Sequence, residues 1–574
     1  MNSTIKKRLN TYRFSNIKKY LRQDLRDNLS QGKTSFQLCL LSLLFAIIAS
    51  SVIILFRVFL NYSYQATQLK QLDFDPHFSD WRVYLPFVGA MLIWAIYKKT
   101  ARRYKRMGIA YVIHRYKLNY GKIPLPTAVS QFFQALIALG SNFSVGREGP
   151  AIHLGAVSAS VIAQRLHLPD NSIRIMCASG VAAGISATFN APLAAVIFVF
   201  EVIVREYRIH YLFPILLASV CGALSSRLVF GDVHEFELIE VMHIPLNHYP
   251  MLLIGGIILG CYSALFNFSL LALTEKSKNW LMSVKLLLAA TVTTLIALFL
   301  PQALGSGELA IHAANDINTG IWILLALLIA KTIATVFAIG LSIPGGLIGP
   351  LYGIGALLGA ILSSIAAMLF PESTPYIGLY TVIGMTALMG VCLSAPLAAL
   401  VALLELTNEP SMILPAMFVT VPAFLTAYQG FNCRSIFFKQ LDLMGLGYKV
   451  PPVNLGLQKI GVRALMERRF ILVKQDNELL LDALKRADGM PVLSQDEHNA
   501  LNMIQLEVQY EGEQSAISSH PIEQLPDTAS IDDAYKLLLP NRSGEVAIYQ
   551  KQKSNIVGVL TWSALQKEIR KGHV

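Results

Sequence analysis

Glu148 is the residue best placed to do chemistry. It sits in Gly146-Arg147-Glu148-Gly149-Pro150, inside a long apolar stretch. A carboxylate in a membrane segment costs about 2.5–3.5 kcal/mol to insert, and acids tolerated there usually serve function. It also stands at a helix start, where the free N–H groups and the helix dipole stabilise negative charge. When ionised it can fill an anion site as a tethered competitor; when protonated it can leave. It therefore reads as a gate and as a proton carrier. The plainer alternative is a structural ion pair with Arg147, or an N-cap carboxylate. The pentapeptide returns as Gly-Leu-Ile-Gly-Pro at 346–350, with Ile348 in the acid's place, so only one copy carries the acid.

The duplication extends further. The segment APLAA occurs at 191–195 and again at 395–399, inside the longer match of GVAAGISATFNAPLAA to GMTALMGVCLSAPLAA. Proline is tolerated in the first turn of a helix because its missing N–H has no partner there anyway. Pro150, Pro192, Pro350 and Pro396 thus predict four helix starts within apolar sequence. Helices that start mid-membrane leave N–H groups that must line a cavity or an ion. Each such end carries about half a positive charge, enough to attract an anion and weak enough to release it. Two repeats with interrupted helices meeting near the bilayer middle are the expected architecture.

Glu201 and Glu405 end the two APLAA segments at corresponding places, which points to packing or to a helix end rather than to transport. His153, just beyond Glu148, reads as a packed polar residue. A protease can be drawn from Ser186 in GISAT with His153 or His114 as base. GxSx patterns are frequent by chance in Gly/Ser-rich helices, and the chain is not read as an enzyme.

Composition sets the class. With 54% hydrophobic residues, 15% charged residues and mean hydropathy +0.50, the chain is too apolar for a soluble protein of 574 residues. Apolar runs at 36–56, 210–230, 249–275, 286–300 and 320–343 predict a multi-pass membrane protein. Basic residues crowd residues 1–34 and 98–106, which places the N-terminus and that loop on the cytoplasmic side. The net charge of +12 is explained by this topology, not by nucleic acid. No removable signal peptide is read ahead of the first apolar run. Six scattered cysteines form no metal-ligand or disulfide pattern.

Three parts are expected: a basic cytoplasmic segment over 1–35, a transmembrane domain over 36–447, and a cytoplasmic domain over 448–574. The fold class is an all-α polytopic membrane domain, built as a repeat with interrupted helices, followed by a small α/β domain. In that last part a βαββα cadence is read twice, from FILV at 470–473 and again from IEQLP at 522–526.

GREGP, then FNAPLAAVIFVFE, then GLSIPGGLIGP and LSAPLAALVALLELT resemble the CLC family of chloride channels and proton/chloride exchangers. The resemblance covers nearly all of the membrane part. It implies an inverted repeat, a homodimer with one pore per subunit, and insertion in a bacterial inner membrane or an equivalent plasma membrane. It makes Glu148 the external gating glutamate within Gly146, Arg147 and Gly149, and turns the amides of Leu347 and Ile348 toward the central anion. The family's anion-touching serine is replaced by Met107 in RMGIA, and its tyrosine by Phe437 in CRSIFF. Backbone amides are then left to bear the site, and central binding is expected to be weaker. Exchangers often carry an inner proton-relaying glutamate after the position of Glu201; here it is Val202. That points to channel-like or loosely coupled chloride transport ahead of coupled proton/chloride antiport, with a fluoride exporter as the minor alternative. The C-terminal part resembles paired CBS domains, some of which bind adenine nucleotides. Ala564 stands where an aspartate is usual, so a dimer-contact or gate-modulating role is preferred and no cofactor is expected.

Overall fold

A computed structural model describes residues 26–31, 35–67, 80–207, 209–231, 245–369, 376–447, 456–474, 477–495, 501–507 and 516–570. Most of the basic N-terminal segment and the composition break near 448–456 lie outside these residues. The chain forms two compact units. One comprises Cys39–Ile162 and Ile175–Tyr448, the other Met1–Leu38, Ala163–Arg174 and Lys449–Val574.

The larger unit is helical. It opens with α1 (Phe36–Thr67), α2 (Leu85–Lys99) and α3 (Gly108–Leu118). A series of four follows: α4 (Leu125–Gly140), α5 (Glu148–Arg165), α6 (Asp170–Phe189) and α7 (Pro192–Phe198). Then come α8 (Ile209–Phe230), α9 (Tyr249–Lys276), α10 (Met282–Phe299) and α11 (Glu308–Asn315). The second series of four is α12 (Ile321–Gly340), α13 (Ile348–Leu369), α14 (Ile377–Leu393) and α15 (Pro396–Thr407), before α16 (Ile413–Leu425) and α17 (Ile436–Leu443). Among the described residues, eight helices are long and apolar enough to cross a membrane, and α4, α7, α14 and α15 belong to shorter apolar helices. Pro192 and Pro396 open their helices, as expected. The other two starts fall earlier, at Glu148 and Ile348, so Pro150 and Pro350 take the third helical position. A first-turn N–H has no carbonyl to meet in either register, so proline is tolerated at both.

The two series share backbone detail as well as order. Asn142 (φ 63°) and Ser342 (φ 71°) follow the ends of α4 and α12 in the left-handed region. Asn190 (φ 57°) and Ser394 (φ 55°) do the same after α6 and α14. A residue other than glycine costs about 1–2 kcal/mol there, so the recurrence at matching positions marks where both copies must break their helices. Packing repeats too. A Cβ on Gly155 of α5 would collide with the Gly180 carbonyl of α6, and one on Gly355 of α13 would come within 2.5 Å of the Gly384 carbonyl of α14. These helices approach through small residues, as membrane helices do.

The C-terminal α/β part has two sheets. β1 (Ile471–Lys474), α18 (Asn477–Arg486), β2 (Val492–Gln495), β3 (Leu501–Glu507) and β4 (Ala516–Pro521) give a sheet of order β1-β2-β3-β4. β5 (Glu523–Pro526), α19 (Ile531–Leu538), β6 (Glu545–Tyr549), β7 (Ile556–Thr561) and α20 (Trp562–Arg570) form the second, ordered β5-β6-β7. The expected cadence is correct for the second copy only. In the first, β4 stands where a closing helix was expected, and it pairs antiparallel with β3 from Asn502 opposite Pro521 to Glu507 opposite Ala516. This covers an edge that would otherwise present unpaired N–H and C=O groups.

Candidate anion-binding site

The site forms where the two repeats meet. The loops before α5 and α13 pair through two backbone hydrogen bonds. Gly146 N–H donates to Gly346 O at 2.7 Å, and Gly346 N–H donates to Gly146 O at 2.7 Å. Ser144 and Thr335 hydroxyls add a buried bond of 2.9 Å beside them. Two helix starts are thereby brought to one place.

Glu148 lies at this junction with only 2% of its surface exposed. Its carboxylate accepts hydrogen bonds from its own backbone N–H and from that of Gly349 in the first turn of α13. The acid of one repeat thus bonds to the helix start of the other. Arg147 adds positive potential from the preceding residue, and its guanidinium lies over the Phe189 ring at 5.5 Å from the centroid. Oε2 has no hydrogen-bond partner and lies against Gly146 and Gly346, where a Cβ on Gly346 would come within 2.8 Å of it. A Cβ on Gly149 would come within 2.9 Å of Gly345 O. Glycine at these positions lets both backbones close on the carboxylate. A single buried negative group is therefore held by peptide N–H groups from both repeats.

Of the other candidate residues, Leu347 and Ile348 are buried at the α13 start. Met107 immediately precedes α3 and offers no side-chain cap to it. Phe437 is buried in the first turn of α17, a helix that packs on α3. The structure brings Gly146, Arg147, Glu148, Gly149 and Ile348 together, while Met107 and Phe437 belong to a second pair of helix starts. An apolar cavity next to Ile348 is lined also by Phe189, Ala194, Phe198, Tyr352 and Ala398, all from the two repeats.

Val202 is buried in the π-helical turn Val199–Val204 that follows α7. Glu201 and Glu405 reveal a relationship that their matching positions only hinted at. Glu405 accepts from Leu193 N–H at 2.8 Å and Ala194 N–H at 2.7 Å, capping α7. Glu201 accepts from Leu397 N–H at 3.2 Å and Ala398 N–H at 2.8 Å, capping α15. Each repeat supplies the N-terminal cap of the other. Ser186 Oγ is buried without a partner, His153 bonds to Thr127, and His114 faces Leu446 O at 3.3 Å. No serine–histidine pair is formed by these three.

Comparison with known proteins agrees with this picture. The profile of the family described as voltage gated chloride channel matches residues 89–428. The H(+)/Cl(-) exchange transporter ClcA of Salmonella paratyphi A is 30% identical over 310 residues, which is 52% of this chain and 65% of the relative. The ClcA of Klebsiella pneumoniae is 29% identical over the same length. The chain thus spans slightly less than two thirds of these curated relatives. Among solved structures, a slow cyanobacterial Cl-/H+ antiporter superposes with a TM-score of 0.63 at 23% identity, over 71% of this chain and 98% of that one. A CLC-type fluoride/proton antiporter gives 0.60 at 22%, over 71% and 99%. A eukaryotic CLC transporter gives 0.59 at 16%, over 92% and 97%. At these identities the structures speak for the fold alone. The matched profile takes in both repeats and the whole junction at Glu148, and on that ground the chain belongs to the voltage gated chloride channel family.

Proposed function

We propose that this membrane protein moves small anions, chloride foremost, past the junction of its repeats, with Glu148 as the gate. The carrying observation is the Glu148 carboxylate held by the Gly349 N–H of the opposite repeat. A site that holds a tethered carboxylate through peptide N–H groups offers the same donors to a halide once the side chain leaves. Protonation of Glu148 removes its charge and its claim on those donors, so anion entry and proton uptake are linked at this residue.

Channel-like or weakly coupled transport is the preferred reading, because Val202 is buried and apolar where an inner relay would stand. Coupled proton/chloride antiport is the second reading, favoured by the names of the relatives. Fluoride export is a minor third, since one solved neighbour is a fluoride/proton antiporter. The exposed apolar helix faces meet lipid and a second copy of the chain, and both termini lie in the cytoplasm of an inner or plasma membrane. The C-terminal part modulates the gate as a CBS-like pair, and adenine nucleotide is not required.

The test is simultaneous recording of chloride and proton movement in liposomes holding the purified chain. Chloride flux with little or no proton flux supports the preferred reading. Sustained uphill proton movement driven by a chloride gradient replaces it with antiport, and no halide flux at all removes the transport reading.

A further inference from the structure

The second repeat places an acid of its own beside the gate. α11 opens at Glu308, directly after Gly305, Ser306 and Gly307. Gly307 has φ +122°, a conformation that favours glycine, and a Cβ there would collide with Gly349 O. A Cβ on Gly349 would in turn lie 2.6 Å from Ser306 O and 3.1 Å from Glu148 Oε1. The turn leading into α11 and the Glu148 carboxylate therefore flank one residue, the same one whose N–H holds that carboxylate. Glu308 is exposed, whereas Glu148 is buried. The first repeat opens α3 with Gly108, 200 residues earlier, so only one copy carries this acid.

Ionisable groups of several elements gather at this spot. Glu148 feels Arg147, its neighbour in the chain, and Glu308 of α11 through space. Tyr64 of α1 lies in the field of Glu308, Arg147 and Glu148 together, and Tyr352 of α13 in that of Glu148. Lys331 of α12 is fully buried. Its ammonium donates to Leu304 O at 3.1 Å and to Gly305 O at 2.6 Å, and Glu308 acts on it as a counter-charge. The lysine thus fixes the turn on which Glu308 is mounted. An acid in the first turn of a helix is stabilised by the helix dipole, which accounts for Glu308 as a structural residue. It does not account for a second carboxylate in electrostatic reach of the gate. Like charges at short range oppose each other's ionisation, so an ionised Glu308 favours the neutral form of Glu148.

We propose that Glu308 is a positioning residue for the gate: its negative charge, mounted on the contact of Gly307 with Gly349, holds the proton on Glu148 and sets the pH at which the anion path opens. The opening of that path rests on the transport reading. The electrostatic link between the two acids does not depend on what is carried.

The experiment titrates the protonated carboxyl band of Glu148 by infrared difference spectroscopy on the full chain in detergent, each protein minus its Glu148→Gln counterpart. Chloride flux from liposomes is recorded alongside. Glu308→Gln is expected to move both midpoints to lower pH through a loss of about three- to tenfold in proton affinity, the size expected of one nearby charge. Because Glu308 is exposed, the difference from wild type should shrink in about 1 M salt. Glu308→Asp keeps the charge and should restore most of the wild-type profile. Midpoints that coincide in Glu308→Gln and wild type overturn the inference. So does a shift that Glu308→Asp reproduces in full, since shape rather than charge would then be responsible. Should Glu308→Gln not fold, Glu308→Lys reverses the charge, and a midpoint at or above that of the wild type overturns the inference there too. Absence of chloride flux with the infrared shift intact would sink the transport reading and leave this link standing.

Discussion

Gly146 and Gly346 exchange both of their backbone hydrogen bonds, each at 2.7 Å, although they stand 200 residues apart in the chain. The pair fixes the distance between the two helix starts, and the Glu148 carboxylate fills the space it leaves. A Cβ on Gly346 would lie 2.5 Å from Gly149 N and 2.8 Å from Glu148 Oε2. Gly346→Ala should therefore displace the carboxylate and cost roughly 1–3 kcal/mol, the usual penalty for overfilling a packed interior. Gly320→Ala is the control, since a Cβ there meets nothing within 4 Å. Thermal unfolding in detergent reads both, and equal midpoints for the two variants would refute the packing argument.

Glu148→Gln keeps the shape of the side chain and removes its charge. If the ionised carboxylate competes with the anion for the Gly349 N–H, the variant should conduct at high pH as well as at low pH. Wild-type flux should fall as pH rises, because deprotonation restores the competitor. The check is chloride efflux from liposomes between pH 5 and 8. A variant whose pH profile matches that of the wild type would show that Glu148 is not the gate.

How much of this could be read from the residues alone depends on how far apart the interacting partners lie. The helix breaks were legible because glycine and proline act locally and because the second copy repeats them. The acid at Glu148 stood out because a carboxylate in apolar surroundings is costly. The caps made by Glu201 and Glu405 were not legible as such. A common offset of 204 residues says that two positions correspond, but not that each reaches the helix of the other copy. The partners of His153, Thr127 on α4 and the backbone of Gly108 on α3, lie 26 and 45 residues away, and no spacing encodes them. β4 was missed because AISSHP lacks a clean apolar alternation and forms by pairing with β3.

The crossed caps make a prediction about symmetry. Each carboxylate satisfies two first-turn N–H groups of the opposite helix. Glu405→Ala and Glu201→Ala should each destabilise the larger unit by about 1–2 kcal/mol, the range for loss of an N-cap. The Glu405→Ala effect should be the greater, because its bonds of 2.8 and 2.7 Å are shorter than the 3.2 and 2.8 Å of Glu201. Both variants should retain a Glu148-dependent pH profile, since neither carboxylate bonds at the gate. Thermal midpoints test the ranking, and a flux profile that becomes independent of pH in either variant would assign these acids to transport instead.

In the smaller unit a cluster of ions joins the segment at 26–27 to the C-terminal residues. Arg26 pairs with Asp527 at 2.9 Å, and Arg463 bridges Asp527 at 2.6 Å and Asp27 at 2.7 Å. The Arg463 and Asp527 side chains are only 3% and 4% exposed. Desolvating such charges is costly, and removing one partner strands the other. Asp527→Asn removes the carboxylate that Arg26 and Arg463 share, leaves Arg463 with Asp27 alone, and should cost about 1.5–3 kcal/mol, the range for a hydrogen bond to a charged group. Arg468→Ala removes a pair whose arginine is 53% exposed and should cost less than about 1 kcal/mol. Limited proteolysis of the full chain, followed by mass spectrometry of the C-terminal fragment, measures the difference. Rapid cleavage in Asp527→Asn and near-native resistance in Arg468→Ala are expected. Equal resistance in the two would mean that the N-terminal segment contributes nothing to the stability of this unit through its charges.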